Sequence, residues 1–142
     1  MSLAGRVMGF LAAAVALAAS AEAADLSVVV KPVRSDQGHI SVAVYDNSKN
    51  FLMVGRQIAS ADVSPVVDST TIVFMGLTPG NYAVAAFYDE NGSGEFDTNF
   101  LGVPVEGYGF SNGAEAFLGP PSFADALVVL ERSAWTEIRL SY

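Results

Sequence analysis

A period of two narrows the fold more than any other feature of this chain. His39-Ile40-Ser41-Val42-Ala43-Val44-Tyr45 alternates strictly, with Ile40, Val42 and Val44 on one face and His39, Ser41, Ala43 and Tyr45 on the other. That pattern marks a strand with one buried side. At the other end Ile138, Leu140 and Tyr142 alternate with Glu137, Arg139 and Ser141. Leu26 to Lys31 and Thr70 to Met75 are rich in β-branched residues, Tyr82 to Tyr88 is an apolar run, and Arg56 to Val63 reads as a weaker edge strand. No long helical period is present beyond residue 23. These short strands with turn signals between them predict an all-β fold, an antiparallel seven-stranded β-sandwich.

Turn chemistry supplies the connections. Ser35-Asp36-Gln37-Gly38 separates the first two strands, which are read as a hairpin, and Pro32 suits an edge position or a strand end. Pro79-Gly80 fits a type II turn, because proline presets φ at the second position and glycine takes positive φ at the third. Ser122 to Leu130 and Trp135 to Tyr142 are expected to close the chain as a second hairpin around Arg132-Ser133-Ala134. Phe51 to Val54 fits either a helical turn or a bulged connection. From Asp97 to Pro121 glycine and aromatics are dense without a sustained period, a composition expected of a functional loop or lid.

Residues 1–23 predict a signal peptide: Arg6, an uncharged run from Val7 to Ser20, then Ala21-Glu22-Ala23 as a small-x-small cleavage site. The run is short of the ~20 apolar residues a membrane anchor needs, so no transmembrane span is expected after cleavage. Residues 24–142 then form one domain, expected to be periplasmic or secreted. Arg6 and Glu22 leave together, so the net charge stays at -8. Such a surface repels phosphate backbones and argues against nucleic acid as a partner. The chain has no cysteine, which excludes disulfides, thiolate metal sites and cysteine nucleophiles.

Directly after the apolar run comes Asp89-Glu90-Asn91-Gly92-Ser93-Gly94-Glu95-Phe96-Asp97. With Asp89 as position 1 of a calcium loop, oxygen-bearing side chains stand at 3 (Asn91), 5 (Ser93) and 9 (Asp97). Gly94 takes the sharp-turn position and Glu95 offers its carbonyl. The candidate metal ligands are therefore Asp89, Asn91, Ser93, Glu95 and Asp97, with Ca²⁺ as the suited cation. The bidentate carboxylate expected at position 12 is replaced by Phe100, so a further acid is needed for tight binding, with Glu106 and Asp125 as candidates. The alternative is a metal-free loop in which Asp and Asn bond their own backbone as Asx turns.

Leu77 to Asn112, with Gly119-Pro120-Pro121-Ser122-Phe123 after it, resembles the secreted bacterial family known as domain of unknown function 2141. The resemblance implies an exported single-domain β protein and brings no activity with it. More distantly, Leu77-Thr78-Pro79-Gly80-Asn81-Tyr82 is similar to the turn of prealbumin-like and collagen-adhesin B-type sandwiches, implying an Ig-like Greek key, and related surface repeats place an Asp-x-Asn-x-x-Gly loop on calcium.

No catalytic residue is expected. The lone His39 faces outward, Ser41, Ser111 and Ser122 lack a G-x-S-x-G context, and no acidic pair stands out. Tyr108 and Phe110 suit a platform for a sugar ring or a peptide, or else plug the open end of the sandwich with Phe117. Trp135 is read as a core or rim residue. The composite expectation is a non-enzymatic module, with a binding or assembly role and an unknown envelope protein or glycan as partner. The alternatives are a metal-free interaction module and an envelope carbohydrate hydrolase using an acidic pair.

Overall fold

The computed structural model describes Gly9, residues 12–16 and residues 22–142. The predicted leader at 1–23 therefore lies largely outside the described residues. Eight strands follow: β1 (Ala24–Val33), β2 (His39–Tyr45), β3 (Ala59–Val63), β4 (Asp68–Leu77), β5 (Gly80–Asp89), β6 (Gly107–Phe110), β7 (Leu127–Leu130) and β8 (Ala134–Arg139). A single 3₁₀ turn, Ser111–Gly113, is the only helical element among the described residues. No helix among them is long and apolar enough to cross a membrane.

Two sheets face each other. The smaller has the order β4-β1-β8, the larger β3-β2-β5-β6, with β7 also on β5. Alternation decides which side chains lie between them: Leu26, Val28 and Val30 from β1 meet Ile40, Val42 and Val44 from β2 and Tyr82, Val84 and Tyr88 from β5. Each fully buried aliphatic side chain of this kind contributes about 1.5–3 kcal/mol. The all-β sandwich expected from the period of two is the fold observed.

Strand pairing departs from expectation at three places. β1 and β2 do not form a hairpin, because β1 lies between β4 and β8 while β2 lies between β3 and β5. β7 and β8 likewise separate, β7 onto β5 and β8 onto β1. Both expectations assumed that a short turn joins hydrogen-bonded neighbours, whereas these turns arch from one sheet to the other. The third departure is a parallel pair, β1 with β8, inside a sandwich whose other pairs are antiparallel. It makes β1 a central strand, and Pro32 is accommodated by an irregularity between Val30 and Val33.

β5 carries the larger sheet. β2 runs along one edge, while β6 takes the Ala85–Tyr88 half and β7 the Gly80–Ala83 half of the other. Ser111 fills the junction between β6 and β7: its buried hydroxyl accepts from the Val84 N–H at 2.8 Å and donates to the Ala126 carbonyl at 2.5 Å. Removing it strands a buried donor and a buried acceptor, so Ser111→Ala is expected to cost about 1–3 kcal/mol in chemical denaturation. An unchanged denaturation midpoint would show that the junction needs no such link.

Candidate functional site

The Asp89 loop starts where β5 ends, and two contacts fix its first residue. Tyr88, on the inner face, places its hydroxyl 2.8 Å from the carbonyl oxygens of both Ser35 and Gln37, tying the β1–β2 arch to the strand end. Gly38 lies against Asp89 so closely that a Cβ there would overlap the Asp89 carbonyl oxygen, and its φ is +75°. Only glycine meets both requirements.

Asp89 points to the outer side of the sheet, yet it is 1% exposed because the loop closes over it. Its Oδ1 accepts the Ser93 N–H at 3.1 Å and its Oδ2 the Gly94 N–H at 2.7 Å. Asn91 Oδ1 also accepts the Ser93 N–H, at 3.0 Å, and Asn91 Nδ2 donates to Asp97 Oδ2 at 2.7 Å. The Ser93 hydroxyl sits among the acceptors, 3.0 Å from both the Glu95 carbonyl oxygen and Asp97 Oδ2. All five residues expected at the site thus meet in one small volume. Many of their oxygens are already engaged by the loop's own N–H groups.

The sixth group is Glu106. Phe100, at the position where a calcium loop carries its last carboxylate, is 95% exposed. Glu106, at the approach to β6, instead brings a carboxylate oxygen within 4.8 Å of those of Asp89 and Asp97. It is 5% exposed; Oε2 accepts the Asp97 N–H at 3.2 Å, while Oε1 is buried with no hydrogen-bond partner. Asp125 takes no part in the cluster: its carboxylate accepts the Ser122 N–H at 3.2 Å in the turn before β7.

Electrostatics separate the acids. Burial, reinforced by a carboxyl-to-carboxylate hydrogen-bond contact with Asp97 and then by the Asp97 and Asp89 charges, pushes the Glu106 carboxyl from its ordinary 4.5 to about 7, against the pull of the Asp97 N–H. Hydrogen bonds from Asn91, then Ser93, hold Asp97 below the usual carboxylate range. A buried carboxylate oxygen without a partner is costly, and either a proton or a cation relieves it.

The aromatic segment lies elsewhere than at the open end of the sandwich. Tyr108 and Phe110 stand on the outer face of the larger sheet, where Phe96 packs edge-on against Tyr108 at 5.8 Å and tilts over Phe87 at 5.5 Å. Phe117 is exposed and plugs nothing. Phe51 belongs to a turn laid over the same face, 6.5 Å from Phe110. Trp135 is 68% exposed on the outer side of β8, neither core nor rim, because Thr136 and Ile138 take the inward positions. Sequence reasoning missed β6, although Gly107-Tyr108-Gly109-Phe110 alternates. Gly109 is demanded there because a Cβ would overlap the Arg139 carbonyl oxygen.

Fold and loop together define a two-sheet β-sandwich with an oxygen-rich acidic cluster at one end of its central strand. The chain belongs to the family described as "Uncharacterized protein conserved in bacteria (DUF2141)", whose model matches residues 28–138. No curated protein and no solved structure matches it.

The raised Glu106 carboxyl gives a signed pH dependence. The folded state keeps a proton that the unfolded state loses near 4.5, so this contribution is fully present below 4.5 and is lost as pH rises through about 7. In chelator, the Glu106 contribution to the stability of the wild type is therefore expected to fall by about 3 kcal/mol across that window. Glu106→Gln should flatten the profile, and an equally steep profile in this variant would assign the titration to another group.

Proposed function

We propose that this is an exported, non-enzymatic β-sandwich, periplasmic or secreted, whose Asp89–Asp97 loop and Glu106 are organised by Ca²⁺ to support a binding or assembly role in the cell envelope. The observation that carries the cation is the buried, unpartnered Glu106 Oε1 beside the Asp89 and Asp97 carboxylates. Oxygen donors are the chemistry a hard divalent cation prefers, and calcium takes six to eight of them. Asp89, Asp97 and Glu106 offer carboxylates, Asn91 and Ser93 side-chain oxygens, and Glu95 its carbonyl. Binding displaces the proton from Glu106, so affinity weakens as pH falls below about 7. The cation also holds Phe96, which stands between the two ligands Glu95 and Asp97, against Phe87 and Tyr108. This couples the loop to the outer face of the sheet.

A metal-free module is the second reading, supported by the loop's own bonds: Asp89 and Asn91 already accept the Ser93 and Gly94 N–H groups as Asx turns do.

Calcium titration separates the two. At about ten times its dissociation constant the cation should add about 1.4 kcal/mol and raise the thermal midpoint by a few degrees, with chelator reversing the gain. Asp97→Asn, in the exposed part of the loop, should keep the fold and lose most of the response, and Asp89→Ala should lose it altogether. A midpoint indifferent to calcium and chelator would leave the metal-free module as the reading.

A further inference from the structure

A groove of about 1270 Å³ crosses the outer face of the larger sheet. The ladder register grades its floor from polar to aromatic. In one row Asp62 pairs with Ser41, Ser41 with Phe87 and Phe87 with Tyr108. In the next, Ser60 pairs with Ala43, Ala43 with Ala85 and Ala85 with Phe110. The β3 side is thus hydroxyl and carboxylate, the β6 side is aromatic, and two alanines keep the middle flat. Strand spacing makes the four-strand crossing about 14 Å long, roughly ten methylenes.

The walls continue this grading. Phe96 and Val103 rise from the loop after β5, while Val54 (100% exposed) and Leu118 (97% exposed) project bulky apolar side chains at the lips. Charge in the lining is of one sign: Asp62 and Glu95 are its charged residues, with no lysine or arginine among them. An anionic head would meet net repulsion from these two carboxylates and no countercharge. Asp62 accepts a hydrogen bond from Ser41, and a carboxylate has further lone pairs for a donor from a ligand.

We propose that this groove binds a single-chain amphiphile, its apolar body lying over Ala43, Ala85 and the Phe87, Tyr108 and Phe110 rings, and its cationic, hydrogen-bond-donating head at Asp62 and Ser60. The site goes beyond the cation reading and uses none of the three carboxylates of the acidic cluster.

The test is titration of the full folded domain with decylammonium, whose head carries both the charge and the N–H donors, and with decyl sulfate, both below micelle formation and in the presence of calcium chloride, followed by calorimetry and by tyrosine fluorescence. Saturable binding of the cationic probe, about tenfold or more tighter than the anionic one, is expected. Ala85→Trp, which fills the middle of the floor, should abolish it. Asp62→Lys, at the exposed sheet edge, should reverse the order of the two probes, and it keeps the test decisive should Ala85→Trp fail to fold. Absence of saturable binding, equal or tighter binding of decyl sulfate, or an unchanged preference in Asp62→Lys would overturn the proposal. So would a dimer in solution that Asp62→Lys disperses, since a second copy would then be what covers the groove. Because the readout is probe binding rather than thermal response to calcium, its failure is distinct from failure of the cation site.

Discussion

Every ladder of the larger sheet except the outer β2–β3 pair runs through β5, and the pleat of that one strand sorts structure from site. Tyr82, Val84, Ala86 and Tyr88 turn inward to the sandwich, while Ala85, Phe87 and Asp89 turn outward. A slip of one residue would exchange the two sets, placing a carboxylate between the sheets and four core side chains in solvent. The burial energy of the inner set therefore decides which side of the sheet is faced by the acid that begins the loop and by the aromatic ring beside it.

The loop itself is a balance between two kinds of partner for the same oxygens. Backbone N–H groups hold Asp89 and Asn91 in place, so the cluster is preorganised by the fold. Glu106 has only the Asp97 N–H on one oxygen and nothing on the other. The buried end of the cluster is consequently its unsettled end, and under the proposed reading that is where a proton and a cation compete. This arrangement differs from a loop that carries all its ligands in one contiguous run, because β6 must be in position before the last acid arrives.

How much of this was legible in the residues follows from the range of the interactions. The period of two marked the strands and their buried faces directly, and the oxygen spacing from Asp89 to Asp97 marked a loop whose members do converge. Arches between sheets were not legible, since Ser35 to Gly38 would suit a hairpin equally well and only the pairing of β1 with β4 and β8 decides the matter. The place of Glu106 rests on β6, the eighth strand where seven were expected. Its glycines hide it, because Gly107 and Gly109 pass too close to Tyr142 and Arg139 to bear side chains. Trp135 misled for the opposite reason: a large aromatic is usually half-buried, yet here it occupies the outward phase of β8.

The parallel pairing of Leu26 with Ala134 and of Lys31 with Arg139 joins segments from the two ends of the domain. During synthesis, one side of β1 finds its partner only after β8 has left the ribosome. Until then the smaller sheet cannot close, and its central strand presents unsatisfied amide and carbonyl groups to anything that can pair with them. The last strand to be made therefore completes the sheet that the first one began, and it closes the register of a ladder whose other side β4 could already have filled.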